Sequence, residues 1–189
     1  MIHHNNNRPF VESVSIEDIA KVQTTPFYLY SQTKITNTFE QLKNSLDSEI
    51  FYAVKANSNQ SIIKLMASLG AGADVVSVGE LERAILAGVE PQKIIFEGIG
   101  KTKQDIAFAI EKNIRLINIE SIDELERVNE VALNQNKKIN IGIRLNPNID
   151  GQTLDKISTG KKTDKFGIDT DKLNELFQVL DVSKNVNLM

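Results

Sequence analysis

The sequence predicts an α/β fold, an incomplete (β/α)8 TIM barrel holding about five to six of the eight strands. Three observations lead there. Short apolar, β-prone runs alternate with amphipathic helical patterns, which is the signature of a βα repeat. The runs start roughly every 22 residues, and that regularity favours a barrel over a doubly wound sheet. A complete barrel takes about 250 residues, whereas this chain has 189.

From the amino terminus, "MIHHNNNRPF" reads as a polar tail or edge segment, in which His3 and His4 lack the further ligands a metal would need. "VSIEDIAKV" spells a short helix capped by Ser15, "PFYLYS" reads as a strand, and "KITNTFEQLKNSL" places Ile35, Phe39, Leu42 and Leu46 on one helical face. The first barrel run is Glu49–Val54, and the next helix turns Ile62, Ile63, Leu65, Met66 and Leu69 inward before Gly70. After the run Ala73–Val76, "VGELERAILAG" is expected to bury Leu81, Ala84, Ile85 and Leu86 and to stop at Gly88. The run Lys93–Phe96 precedes a helix with Ile106, Ala109 and Ile110. Arg115–Ile119 then precedes one with Ile122, Leu125, Val128 and Val131 or Ala132. Ser77 with Glu80, and Ser121 with Glu124, fit capping boxes. The run Lys138–Leu145 leads past Pro147 into "NIDGQTLDKISTGKKTDKFGI", a loop long enough to suggest a functional role. A last helix, "TDKLNELFQVL", is followed by "NVNLM", the start of a sixth strand.

Composition narrows the chemistry. A net charge of −3, with 22 basic and 25 acidic residues interspersed, provides no basic stripe for nucleic acid or anionic lipid. No apolar run reaches the roughly 18 residues of a membrane span, and the amino terminus lacks the apolar core of a signal peptide. A cytoplasmic protein without nucleic-acid or membrane partners is therefore expected. With no cysteine, disulfides, thiolate ligands and a thiol nucleophile are excluded within these residues.

One residue stands out in "EIFYAVKANSN": Lys55 closes an otherwise apolar strand, and in a barrel the carboxyl ends of strands open into the active site. An amine in such a mouth can condense with an aldehyde cofactor, while the plainer alternative is a lysine reaching from the strand end into water. "FYAVKANSN", "GADVVSVGELERAILAGV", "IIFEGIGKT", "NIESIDELERV", "IGIRLNPNID" and "ISTGKKTDKFGI", in this order, resemble the diaminopimelate decarboxylases. These are pyridoxal-phosphate enzymes of the alanine racemase-like fold, and the likeness runs through nearly the whole chain.

The resemblance implies that Lys55 carries pyridoxal 5′-phosphate in imine linkage and is the catalytic lysine, with Asp74 and Arg144 as cofactor-binding neighbours. Glu80 also has a counterpart among related enzymes, although its place in a capping box gives it a structural role. The sequence departs from the family at Leu154, where a histidine is common; Lys161, Lys162 and Lys165 in the same loop read alone as solvated charges.

By the same resemblance, residues 26–189 form part of the cofactor-binding barrel, and residues 1–25 are the segment that packs on a carboxyl-terminal β-domain missing here. The glycine-rich phosphate loop, the ring-stacking histidine, the Glu-x-Gly-Arg turn and a cysteine borrowed from a partner subunit are family features not found before Met189. The 189-residue chain alone is thus expected to be inactive. The implied whole protein is a homodimer that decarboxylates meso-2,6-diaminopimelate, a small amino acid, to L-lysine and CO2. Alternatives are a related decarboxylase of ornithine, arginine or carboxynorspermidine, or a non-catalytic remnant.

Overall fold

In the computed structural model, residues 2–149 and 166–189 are described, and they fall into two compact units, Met1–Ile50 and Phe51–Met189. Leu154, Lys161, Lys162, Lys165 and most of the "STG" loop lie outside the described residues.

In the first unit, β1 (Ile2–Asn5), β2 (Arg8–Val11) and β3 (Val14–Ser15) make a small antiparallel sheet in that order. Asn5 pairs with Arg8 across a two-residue turn whose Asn6 and Asn7 both take positive φ, at 47° and 64°. Asparagine tolerates that region better than most side chains, so the polar "HNNNR" stretch is a hairpin. His3 sits in the edge strand, stacked on Phe10 with ring centroids 5.8 Å apart.

Helix α1 (Ile16–Val22) follows Ser15, but the Ser15 hydroxyl accepts from Arg8 at 3.2 Å and makes no helix-cap bond. The expected cap is therefore replaced by a tie to the sheet. "PFYLYS" is not a strand: its backbone joins no ladder, and Tyr28 is 92% exposed. Its β-prone side chains have no pleated neighbour to pack on, which is most of what β propensity measures. Helix α2 (Gln32–Ser45) starts at Ser31, whose Oγ accepts from Lys34 N–H at 3.0 Å. Phe39 is buried, whereas Leu42 and Leu46 remain about half exposed.

The second unit carries the predicted repeat. Its strands are β4 (Phe51–Ala53), β5 (Gly72–Val75), β6 (Ile94–Phe96), β7 (Leu116–Ile119), β8 (Ile139–Ile143) and β11 (Val186–Leu188). All pair parallel in that sequential order, giving a six-stranded sheet. The crossovers contain α3 (Gln60–Ser68), α4 (Val78–Leu86), α5 (Lys103–Glu111), α6 (Ile122–Asn134) and α7 (Leu173–Val182). A short parallel pair, β9 (Leu145–Asn146) with β10 (Ile168–Asp169), completes the described elements. The barrel-type α/β architecture and the count of five strands plus a sixth beginning at Val186 agree with the sequence reading.

Val75, Ile94, Phe96, Ile117, Ile119 and Ile141 of the sheet are fully buried, and the helices close over them with Leu81, Ile106, Leu125 and Leu176. Two details differ from expectation. The run Lys138–Leu145 breaks into β8 and β9 with Arg144 between them. Leu86 is 80% exposed, because at about 100° per residue it lies on the side of α4 away from the buried Leu81 and Ala84.

Candidate functional site

Strand β4 ends at Ala53, and a single 3₁₀ turn, Val54–Ala56, follows. Val54 is fully buried and anchors the turn. Tyr52 Oη donates to Asn57 O at 2.9 Å, while Asn59 caps α3 through Ser61 N–H at 2.9 Å. The local sequence thus bends the chain immediately after the strand and leaves Lys55 at its carboxyl end.

Asp74 lies in the neighbouring strand, in register with Ala53. Its Oδ2 is 3.7 Å from Lys55 Nζ. The lysine side chain is 59% exposed and the aspartate 22%, so the amine faces open space while the carboxylate sits behind it. Asp74 Oδ1 is buried with no hydrogen-bond partner among the described residues. Burial holds the Asp74 carboxyl above the usual carboxylate range, against the opposing pull of the Lys55 and Arg144 charges.

Lys55 and Asp74 line a cavity of about 740 Å³ with Val76, Glu97, Gly98, Ile99, Asn118, Arg144 and Phe166. Most of these residues come from the carboxyl ends of β4 to β8, where barrel enzymes place their chemistry. The size falls within the roughly 300–1,000 Å³ of small-molecule sites. Asn118 pairs with Gly142 on the next strand, and a Cβ at Gly142 would stand 2.0 Å from Asn118 Oδ1. The missing side chain makes room for the asparagine, which donates to Glu97 across the cavity floor.

Arg144 follows β8 and is held from three sides. Its N–H donates to Ile119 O at 3.0 Å, its Nη1 to Glu120 Oε1 at 3.3 Å, and its guanidinium lies 4.8 Å from the Phe166 ring centroid. Glu120 is itself buried, and its Oε2 accepts from Gly167 N–H at 2.9 Å. Beneath this, Lys101 and Glu124 form an ion pair of 3.0 Å with side chains 2% and 4% exposed. Lys101 Nζ also donates to Gly98 O and to Asn118 O, and Glu124 Oε2 accepts from Glu120 N–H at 2.7 Å.

The three residues singled out from sequence, Lys55, Asp74 and Arg144, therefore come together in one cavity. Glu80 is structural, but only half of the expected capping box forms: Ser77 Oγ accepts from Glu80 N–H at 3.2 Å. Its carboxylate reaches one residue beyond the cap, to Val76 N–H at 2.9 Å. Sequence reasoning assigned no role to Glu97, Asn118, Glu120, Lys101 or Phe166. For Asn118 and Glu97 a signal existed, a polar side chain inside or just after an apolar strand run. Lys101 and Glu124 are distant in sequence, and the capping motif at Ser121 accounts for the glutamate locally.

An exposed primary amine, a buried carboxylate oxygen without a partner among the described residues and a fixed guanidinium around this volume suit a ligand with a carbonyl and polar ring substituents. Pyridoxal 5′-phosphate is such a ligand, so the residues present fit it.

Comparison with known proteins agrees. Residues 32–189 match the family described as pyridoxal-dependent decarboxylase, pyridoxal binding domain. The chain is 38% identical over its full length to a diaminopimelate decarboxylase of Aquifex aeolicus, spanning 45% of that protein. It is 45% identical over 164 residues to one of Helicobacter pylori, covering 85% of this chain and 40% of that one. Among solved structures, H. pylori diaminopimelate decarboxylase complexed with L-lysine superposes with a TM-score of 0.87 at 41% identity, covering 92% of this chain and 45% of that one. The enzyme from M. jannaschii in complex with L-lysine gives 0.85 at 37%, covering 100% and 46%. A viral arginine decarboxylase, at 23% identity and a TM-score of 0.76, shares the fold. The chain thus spans under half the length of these relatives.

Proposed function

The chain belongs to the pyridoxal-dependent decarboxylases, matching their pyridoxal binding domain with its cofactor pyridoxal 5′-phosphate, and from that premise we propose that it serves the decarboxylation of meso-2,6-diaminopimelate to L-lysine. The observation that carries this reading is the Lys55 amine at a strand's carboxyl end, 3.7 Å from Asp74, inside a cavity of ligand size. The diaminopimelate decarboxylases among its relatives, two of them solved with L-lysine, favour that substrate over other amino acids.

When bound, the cofactor supplies an electron sink for the α-carbon as the carboxylate leaves. Lys55 presents the primary amine that would hold the cofactor's aldehyde and could pass a proton at Nζ. Asp74 would orient that amine and balance its charge through Oδ2, 3.7 Å from Nζ. Arg144, fixed by Glu120 and stacked on Phe166, offers charged donors to a polar substituent of the cofactor. Homodimer assembly and a cytoplasmic location belong to the same proposal; among the described residues no helix is long and apolar enough to cross a membrane.

The test uses the whole protein. Wild type is expected to bind pyridoxal 5′-phosphate with a visible absorbance band, to be trapped by borohydride reduction at Lys55, and to release CO2 from meso-diaminopimelate. Lys55→Ala abolishes all three. Turnover of ornithine, arginine or carboxynorspermidine in preference to diaminopimelate would move the assignment to a related decarboxylase, and borohydride labelling at another lysine would overturn the site.

A further inference from the structure

Lys101 contributes nothing to the cavity surface, yet its ammonium is the point where three of the cavity's supports meet. Its three N–H donors are matched by Gly98 O, Asn118 O at 2.8 Å and Glu124 Oε1 at 3.0 Å, so its bonding capacity is filled. Gly98 and Asn118 are themselves lining residues, one after β6 and one in β7. Glu124 carries the connection onward. Its backbone N–H is fixed by Ser121 Oγ at 3.2 Å, and its Oε2 takes Glu120 N–H at 2.7 Å. The Glu120 carboxylate then holds Arg144 and Gly167 N–H, and Arg144 lies against Phe166.

We propose that the buried Lys101–Glu124 pair is a positioning device for this site. It locks the Gly98 corner, the Asn118 strand end and the Glu120–Arg144 clamp into one rigid arrangement. The inference rests on the reading of the cavity as the cofactor site. An ion pair this deep adds little net stability over apolar packing of the same volume, since the desolvation of two charges offsets their attraction. What it does impose is geometry: one ammonium satisfies acceptors on three separate segments only when all three are in place. A shift of about 1 Å in a group that orients a reacting molecule can cost on the order of a hundredfold in rate.

The experiment compares whole protein carrying Glu124→Gln, Lys101→Arg or Lys101→Met with wild type, well below each melting temperature. Pyridoxal 5′-phosphate affinity, the circular dichroism of the bound cofactor, and kcat and KM are measured separately. Glu124→Gln keeps the shape but removes the charge and leaves one acceptor oxygen, so Lys101 Nζ and Glu120 N–H can no longer both be satisfied. It is expected to weaken cofactor binding and lower kcat by roughly tenfold to a hundredfold, with an altered dichroic band and a smaller change in KM. Lys101→Met is expected to show losses of the same kind, and Lys101→Arg, which keeps charge and donors, smaller ones.

If Lys101→Met does not fold, Glu124→Gln decides the matter. A Glu124→Gln protein with a lowered melting temperature but wild-type cofactor affinity, dichroism and kcat would reduce the pair to a stability element and overturn the proposal. Wild type that fails to take up the cofactor would remove the cavity reading and this inference together; wild type that loads while Glu124→Gln is indistinguishable from it would remove this inference alone.

Discussion

Replacing Gly72 by alanine should loosen the sheet directly below the candidate site. Gly72 pairs with Phe51 at the start of β4 and β5. A Cβ there would stand 2.5 Å from Phe51 Cδ1 and 2.6 Å from the carbonyl oxygen of Lys93. The carbonyl is backbone at the entrance to β6, so it cannot rotate aside. Nor is the Phe51 ring free, because the Arg115 guanidinium lies 5.4 Å from its centroid. Overpacking of this kind costs about 1–3 kcal/mol, and a clash against backbone belongs at the upper end. For a protein of this size each kcal/mol is worth about 2–4 °C, so the melting temperature should fall by roughly 6–12 °C. Because β4 carries Lys55 two residues past its end, cofactor binding should weaken as well. Thermal unfolding of Gly72→Ala in the wild-type and Phe51→Leu backgrounds separates the two collisions; the smaller ring relieves one and leaves the other. A melting temperature within about 2 °C of the parent in both backgrounds would show that the strands part without cost and would refute the packing argument.

Other consequences follow from burial and charge. Burial raises the Asp74 carboxyl above its unfolded value, so its contribution to stability is fully present below the unfolded pKa of about 3.9 and is lost as the pH rises through the folded value. Asp74→Asn should therefore gain stability relative to wild type as the pH goes from 4 to 7, and a Tm difference constant over that range would contradict it. On α4, Leu81→Ala should cost about 2–5 kcal/mol, since Leu81 is fully buried. Leu86→Ala on the exposed side of the same helix should stay within about 0.5 kcal/mol, and denaturant midpoints report both. Lys103 and Glu130 meet at 2.6 Å, but both side chains are about half exposed. Breaking that pair by Lys103→Ala should change stability by less than about 1 kcal/mol, more visibly at low salt than at high.

The barrel strands could be read from the sequence because runs such as "IIF" and "LINI" are short, β-branched and flanked by helix caps, so local preference and final burial point the same way. Lys55, Asp74 and Arg144 were accessible for a related reason, since each is a polar residue where an apolar run ends or breaks. "PFYLYS" shows the limit. Its composition is as β-prone as that of any barrel strand, yet a ladder needs a second strand, which no local window contains. Leu86 fails differently: it continues the apolar pattern of "LERAIL", but it falls on the side of α4 away from Ala84, which faces the core. The Lys101–Glu124 contact was hidden because it joins segments either side of β7, and neither residue differs in sequence from an ordinary surface charge.

Two crossovers begin with the same punctuation, a serine followed three residues later by a glutamate whose carboxylate turns back on the backbone. At Ser77 and Ser121 the backbone angles are nearly identical, with φ of −156° and −155° and ψ of 161° and 160°. Glu80 and Glu124 each use one oxygen to fasten the residue before the serine. Glu124 has plugged its other oxygen into a neighbouring loop, whereas among the described residues Glu80 leaves its counterpart idle. A helix start of this design is a two-pronged connector, and its vacant prong marks where an engineered cation could wire one more loop to the scaffold without disturbing the turn that already works.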